Sequence, residues 1–313
     1  MATPVRRGPL PLHPMTLPDI LDGAFKLLRT NARTVLTITA VFVVPIQVLS
    51  AFLQRDIFGG RSIGDFISDP SVGSDGRTAT GTGTDAFATL LAFAVTVLVL
   101  PFVAGAVSRV VAASYLGDEV SVGEALRAAG RRWWSLVSSW VLVHLFEGLV
   151  WIAAVGIAIA LAVGGAHGWA PILVLVLLAL AGIPWAVVAM AWCVAVAPAI
   201  VVEDLGPVAG MRRSIRLLRP RTWSTVAVAL VGGFLASILG QVLGVIPQSI
   251  GLGIGGDRGG WVLLAIGGVL TSIVTTPLVA IISTLVYFDG RIRHEGFDLE
   301  VMAADMARTA PST

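Results

Sequence analysis

The chain has 313 residues, 56% of them apolar and only 13% charged, with a formal net charge of +2. Soluble domains carry about twice that share of charge, so the composition excludes an ordinary globular enzyme and reads as an integral membrane protein. The single cysteine, Cys193, leaves no intramolecular disulfide and no cysteine-rich metal site, and it lies too deep in the chain for a lipoprotein anchor.

Residues 1–15 form a tail with Arg6, Arg7 and several prolines but no early apolar core, so no cleavable signal peptide is expected. Six apolar segments follow, at about 34–53, 87–110, 136–163, 170–200, 223–246 and 261–287. Each is near the roughly 20 residues that cross a hydrocarbon core of about 30 Å. Backbone groups in lipid must be satisfied within the segment, so these spans are predicted helices. Pro45, Pro101, Pro184 and Pro277 fall inside them. The first loop, 55–86, is rich in Gly, Ser, Thr and Asp and is expected to be mobile. "GGAHGWA" is a tight reversal between the third and fourth spans. "GLGIGG" (251–256) formally matches a nucleotide-binding glycine pattern, but it lies between two spans without strand–turn–helix context and reads as a flexible loop. The domain organisation is thus a tail (1–15), a membrane domain (16–287) and a second tail (288–313).

Three short stretches, each ahead of an odd-numbered span, are variants of one pattern: "TLPDILDGAFKLLR" (16–29), "SVGEALRAAGRRWW" (121–134) and "GPVAGMRRSIRLLR" (206–219). Leu17, Leu21, Ala24 and Leu28 fall in register with Val122, Leu126, Ala129 and Trp133, and with Pro207, Met211, Ser214 and Leu218. That spacing is one face of a helix. Thr16 with Asp19 and Ser121 with Glu124 are capping-box pairs, and Pro207 suits a first helical turn. The fold expected is therefore all-α: six transmembrane helices in three pseudo-repeats of amphipathic helix plus hairpin. Each amphipathic helix is expected to lie in the headgroup boundary with its cations toward water and anionic lipid. The alternative is that these helices seal the inner rim of the bundle. Lys26, Arg131 and Arg216 align, and with Arg132, Arg212, Arg213 and Arg219 they are the candidate contacts to lipid headgroups or a protein partner. Trp133, Trp134 and Trp223 suit the same interface. Of the 21 Lys and Arg, 17 fall on the side of the two tails, which places both termini in the cytoplasm of a cell-membrane protein.

Polar residues inside spans are costly and mark candidate sites. His144 and Glu147, three apart on one helix face, suggest a proton relay or substrate contact, with a buried Glu–His hydrogen bond as the bland reading. Gln47 and Gln241 are expected to join helices. Gly232, Ala236, Gly240 and Gly244 form a small-residue stripe for close helix contact. No nucleophile motif, metal-ligand cluster or cofactor site is present in the pattern, and nucleic-acid binding is a poor reading of such short basic helices.

The tail "YFDGRIRHEGFDLEVMA" (287–303), with "LPDILDGAFKLLR" and "MRRSIRLLRPRTW", resembles the glycerophosphodiester phosphodiesterase membrane-domain family. Tyr287, Asp289, Arg291, Arg293, Glu295, Gly296, Phe297 and Asp298 carry the likeness. The resemblance implies a polytopic bacterial membrane protein. It implies no catalysis, because the phosphodiesterase barrel that gives the family its name needs about 250 residues of its own. Within the tail, Asp289, Arg291, Arg293 and Glu295 pair either with one another or with the 212–221 arginines. Two functional expectations follow: a non-catalytic membrane-organising or interaction module, or a transporter or transport accessory with His144 and Glu147 in a polar cavity.

Overall fold

The computed structural model describes residues 13–53, 55, 83–115, 117–164, 169–255, 258–297 and 299. These residues are helical throughout, with turns between. The elements are α1 (Leu17–Thr30), α2 (Ala32–Leu53), α3 (Gly83–Tyr115), α4 (Val122–Arg131), α5 (Trp133–Glu147), α6 (Leu149–Val163), α7 (Trp169–Cys193), α8 (Val196–Val202), α9 (Pro207–Leu218), α10 (Thr222–Ile254) and α11 (Gly260–Glu295). The expected 55–86 loop and the two tails lie largely outside the described residues.

The helix starts are where the local chemistry puts them. Asp19 accepts from the Thr16 amide and hydroxyl at 2.8 and 2.6 Å. Glu124 accepts from the Ser121 amide at 3.0 Å, and the Ser121 hydroxyl receives the Glu124 amide in return. Pro207 opens α9, where its missing N–H costs nothing.

The apolar spans depart from the expected boundaries in three ways. The third is broken: α5 and α6 bend by 57° at Gly148. A Cβ there would come within 2.9 Å of the His144 carbonyl oxygen, so the bend depends on a residue without one. The fourth is also broken, at Val194–Ala195 between α7 and α8. The last two overrun. Helices α10 and α11 have 33 and 36 residues, or about 50 and 54 Å at 1.5 Å per residue. Gly251–Ile254, expected as loop, are the last turn of α10.

Burial divides the molecule into two layers. On α10 the outward-facing apolar side chains run from Leu230 to Ile250, a height of about 30 Å. Similar exposed faces occupy α2 from Val41 to Phe52, α5–α6 from Val141 to Val163, and α7 from Trp169 to Ile183. In the second layer almost everything apolar is buried. The final turns of α3, α8 and α11 meet at its centre, where Thr284 donates to Ser108 at 3.1 Å, Ser283 to the Val194 carbonyl at 2.7 Å, and Phe288 stacks on Tyr115 with centroids 4.6 Å apart.

The short helices pack around that centre. Helix α4 doubles back along α3, bringing Glu124 into the field of Arg109 and Gly130 beside the Phe102 ring. Helix α9 doubles back on α8: Gly210 lies against Ile200, and Ser214 donates to the Trp192 carbonyl at 2.6 Å. Helix α1 docks on α11. Their apolar faces are turned into the protein: Ala24, Ala129 and Ser214 are each 0% exposed. This fits helices that seal the bundle, the alternative given above, and not faces immersed in the headgroup boundary.

The α10–α11 hairpin is the closest packed. Gly232, Ala236, Gly240 and Gly244 are buried in it, as their spacing predicts. A Cβ at Gly240 would stand 2.9 Å from the Thr271 carbonyl oxygen, and one at Gly244 would stand 2.6 Å from that of Gly267. Gln47 joins helices as expected, donating to Ser272 at 2.6 Å, whereas Gln241 is exposed.

Candidate functional site

The charged residues converge at the base of the buried layer. Asp289, 7% exposed, is the hub. It accepts from the Met15 amide at 2.7 Å, from Arg221 at 2.7 Å and from Arg293 at 2.9 Å. Arg293 also donates to the Met15 carbonyl at 2.7 Å. One carboxylate thus fastens the start of α1, the link between α9 and α10, and the last turns of α11. Removing a charge from water is costly, and it is tolerated where ions pair and every lone pair is used.

A second knot lies beside it. Glu203 accepts from Tyr287 at 2.6 Å and from Arg213 at 2.8 Å. Arg213 reaches past it to grip Glu295 through both terminal nitrogens, and Arg291 joins Glu295 at 3.1 Å. The Arg213 hydrogen bond holds the Glu295 carboxyl below its ordinary range, against the upward push of burial. Gly296, at φ +65°, ends α11 in the left-handed conformation that glycine adopts without strain. Phe297 then folds under Phe288 with centroids 5.5 Å apart, and the Arg291 guanidinium lies 4.2 Å from the Phe297 ring centre.

A third contact closes the ring. Arg132 pairs through two nitrogens with Asp204, which takes a left-handed φ of 58° in the turn between α8 and α9. The Arg132 hydrogen bond lowers the Asp204 carboxyl below its usual range.

The expected tail pairing is therefore realised both ways, within α11 and onto Arg213 and Arg221. Arg132 and Arg213, expected to face lipid or a partner, are instead committed to acids of this chain. Lys26, Arg131, Arg212, Arg216 and Arg219 are exposed. Of these, Arg219 lies over the Trp192 ring at 5.8 Å. Trp134 and Trp223 are 69% and 75% exposed, while Trp133 turns inward and donates to the Leu98 carbonyl at 2.9 Å.

His144 and Glu147 are not joined by a hydrogen bond. The His144 Nδ1 meets the Trp140 carbonyl at 2.8 Å, and its ring stacks on Trp140 at 3.7 Å. Glu147 is the half-buried last residue of α5, at the bend. Sequence reasoning missed Glu203 and Asp204, two acids in a short link, and the Met15 backbone, which no pattern marks.

The fold defines an all-helical protein that has, among the described residues, five apolar helices long enough to cross a membrane, or six if the bent α5–α6 pair is one span. Within that class the chain belongs to the family described as a domain of unknown function, DUF7847, whose profile matches residues 15–289. The matched stretch begins and ends at Met15 and Asp289, the residues joined by the hydrogen bond that closes α1 onto α11. No curated protein and no solved structure matches the chain.

Proposed function

We propose that the protein is a six-span component of the cell membrane, with both termini cytoplasmic, that organises the inner leaflet by binding anionic lipid headgroups and has no catalytic activity of its own. It is built as three units, each an amphipathic helix followed by a hairpin. Contacts support this division. Helices α4, α9 and α1 pack respectively on α3, α8 and α11, and the ends of those three helices meet at the centre. The 30 Å exposed apolar band is then the lipid-facing surface.

One observation carries the headgroup reading. At the same register of the three short helices Ile20, Ala125 and Gly210 are buried, as are Ala24, Ala129 and Ser214, while Lys26, Arg131 and Arg216 are exposed. The cations are spared from the internal ion pairs that occupy Arg132, Arg213, Arg221 and Arg293. Each sits in the last turns before a span, and Arg131 and Arg216 precede the exposed Trp134 and Trp223 in sequence; there anionic lipid attracts a basic side chain by about 1 kcal/mol.

The test is reconstitution of the full chain in vesicles of mixed phosphatidylcholine and phosphatidylglycerol, measuring which lipid is enriched around it. Phosphatidylglycerol enrichment that falls in the Lys26→Gln, Arg131→Gln, Arg216→Gln triple variant supports the reading. Equal enrichment in the two proteins refutes it, and a co-purified protein lost in the same variant would assign the cations to a protein partner. The His144 ring is turned onto Trp140, so the buried Glu–His hydrogen bond of the bland reading is not formed.

A further inference from the structure

Between α3, α5, α8 and α11, where the exposed apolar band gives way to the buried layer, lies a laterally open crevice of about 430 Å³. Its walls are Leu100, Pro101, Trp140, Val143 and Val279, and small residues such as Ala104, Ala197 and Ala280 form its floor. The backbone explains why it is there. A Cβ at Gly105 would stand 2.7 Å from Leu136, so α3 and α5 are in close contact at the inner end. The 57° bend at Gly148 then carries α6 aside, and Val194, at the break before α8, forms part of the lining.

We propose that this crevice holds one acyl chain of an inner-leaflet anionic phospholipid, making that lipid a resident of the fold and not a passing neighbour. The proposal rests on the membrane reading above and adds a site to it. The volume lies within the roughly 300–1,000 Å³ of ligand pockets. Of the four hydroxyl side chains in its lining, three are already spent: Ser139 donates to the Leu136 carbonyl at 2.8 Å, Ser283 to that of Val194 at 2.7 Å, and Thr275 to that of Thr271 at 3.1 Å. Thr276 aside, an occupant is asked for no hydrogen bond, which suits a hydrocarbon chain and disfavours a polar solute. Val279, one of the crevice walls, is itself 45% exposed, so the mouth opens on the exposed apolar surface and what covers that surface covers it. At its inner end Leu136 donates its amide to the Arg132 carbonyl at 2.9 Å. The exposed Arg131 precedes Leu136 by five residues, a cation available to the phosphate of the lipid whose chain lies within.

The experiment uses full-length protein in phosphatidylcholine vesicles doped with chain-spin-labelled phosphatidylglycerol, read by electron paramagnetic resonance. Wild type is expected to show a motionally restricted, slowly exchanging lipid component. Ala197→Phe and Thr276→Phe, which fill the crevice from different helices, should each reduce it severalfold. Val242→Phe, on the lipid-facing side of α10, should leave it unchanged. Intrinsic tryptophan melting curves check that each variant is folded. The crevice is refuted if wild type shows only fast-exchanging lipid, if both folded filling variants retain the component, or if the variants abolish a dimer instead, which would make a second copy the occupant. The Lys26, Arg131, Arg216 variant separates the two readings. Unchanged phosphatidylglycerol preference in that variant, with the restricted chain present, overturns the headgroup reading alone. A lost restricted chain in the filling variants, with preference intact, supports the crevice independently.

Discussion

Asp289 is the residue on which the inner layer turns, and its removal has a calculable cost. In Asp289→Ala three donors lose their acceptor: the Met15 amide, Arg221 and Arg293. Breaking a buried ion pair by deleting one member costs about 3–5 kcal/mol. The Arg221 and Arg293 side chains keep 33% and 26% of their surface, so water recovers part of that. The expected loss is about 3 kcal/mol. Asp289→Asn keeps the shape and an oxygen for Met15 but removes the charge that holds two guanidiniums, so about 2 kcal/mol is expected at about 1 kcal/mol per charged hydrogen bond after that discount. Arg212→Ala, an exposed cation of the neighbouring helix, should stay within about 0.5 kcal/mol. Thermal unfolding in detergent by tryptophan fluorescence gives the ranking. Limited proteolysis adds a local readout, because release of Met15 should expose the start of α1 to cleavage before the rest unfolds. If Asp289→Ala is no worse than Arg212→Ala, the hub contributes nothing and the reasoning fails. Equal losses in Asp289→Ala and Asp289→Asn would show that charge alone matters and the Met15 contact is idle.

The α10–α11 hairpin supplies a sharper contrast. Gly244→Ala forces a methyl toward the Gly267 carbonyl and should cost about 1–3 kcal/mol, whereas Gly233→Ala, with nothing within 4 Å, should be neutral or stabilising by up to about 1 kcal/mol; denaturation midpoints of the two variants decide. The Glu295 contact should be sensitive to acid. Its folded pKa lies below the ordinary glutamate value of 4.5, so its stabilisation is complete above that pH and lost as pH falls through the lower folded value. Wild type should therefore lose more of its melting temperature between pH 6 and pH 3.5 than Glu295→Gln does, and parallel losses would remove Glu295 from the network's acid response.

What the sequence disclosed follows from how local each cause is. Capping boxes at Thr16 and Ser121, Pro207 at a helix start and the four-residue glycine stripe are set by neighbours three or four residues away, and all stand in the structure as read. The break at Gly148 was hidden because "FEGLV" sits in an unbroken apolar run, and hydropathy does not register a bend. The direction of the amphipathic faces stayed open between two readings for a related reason. Periodicity tells which face is apolar but not whether lipid or protein covers it. The signal that could have decided was size: Ala24, Ala129, Ser214 and Gly210 are too small for a face meant to immerse in lipid, and they suit helices in close contact. Glu203 and Asp204 escaped because two acids in a four-residue link look like any solvated turn. Their partners, Arg213, Tyr287 and Arg132, are brought to them only by the tertiary packing.

The two-layer division makes a last expectation about depth. Trp134 and Trp223 each precede by seven residues the first strongly outward apolar residue of their helices, Val141 and Leu230. Seven residues of helix are about 10 Å, more than the roughly 5–7 Å that the headgroup zone occupies on each side of the hydrocarbon. Both indoles therefore belong at the outer edge of the headgroups, within reach of water. Trp151, midway along the exposed α5–α6 face that runs from Val141 to Val163, belongs in the hydrocarbon. Single-tryptophan variants in vesicles should show Trp223 and Trp134 quenched by aqueous acrylamide and untouched by lipids brominated at mid-chain, with Trp151 the reverse. Mid-chain quenching of Trp223 would mean that the bilayer reaches down over the buried layer. The ion pairs of Asp289 and Glu203 would then lie at hydrocarbon depth, where exposed Arg212 and Arg216 could not remain, and the placement of the membrane argued from the exposed band would be wrong.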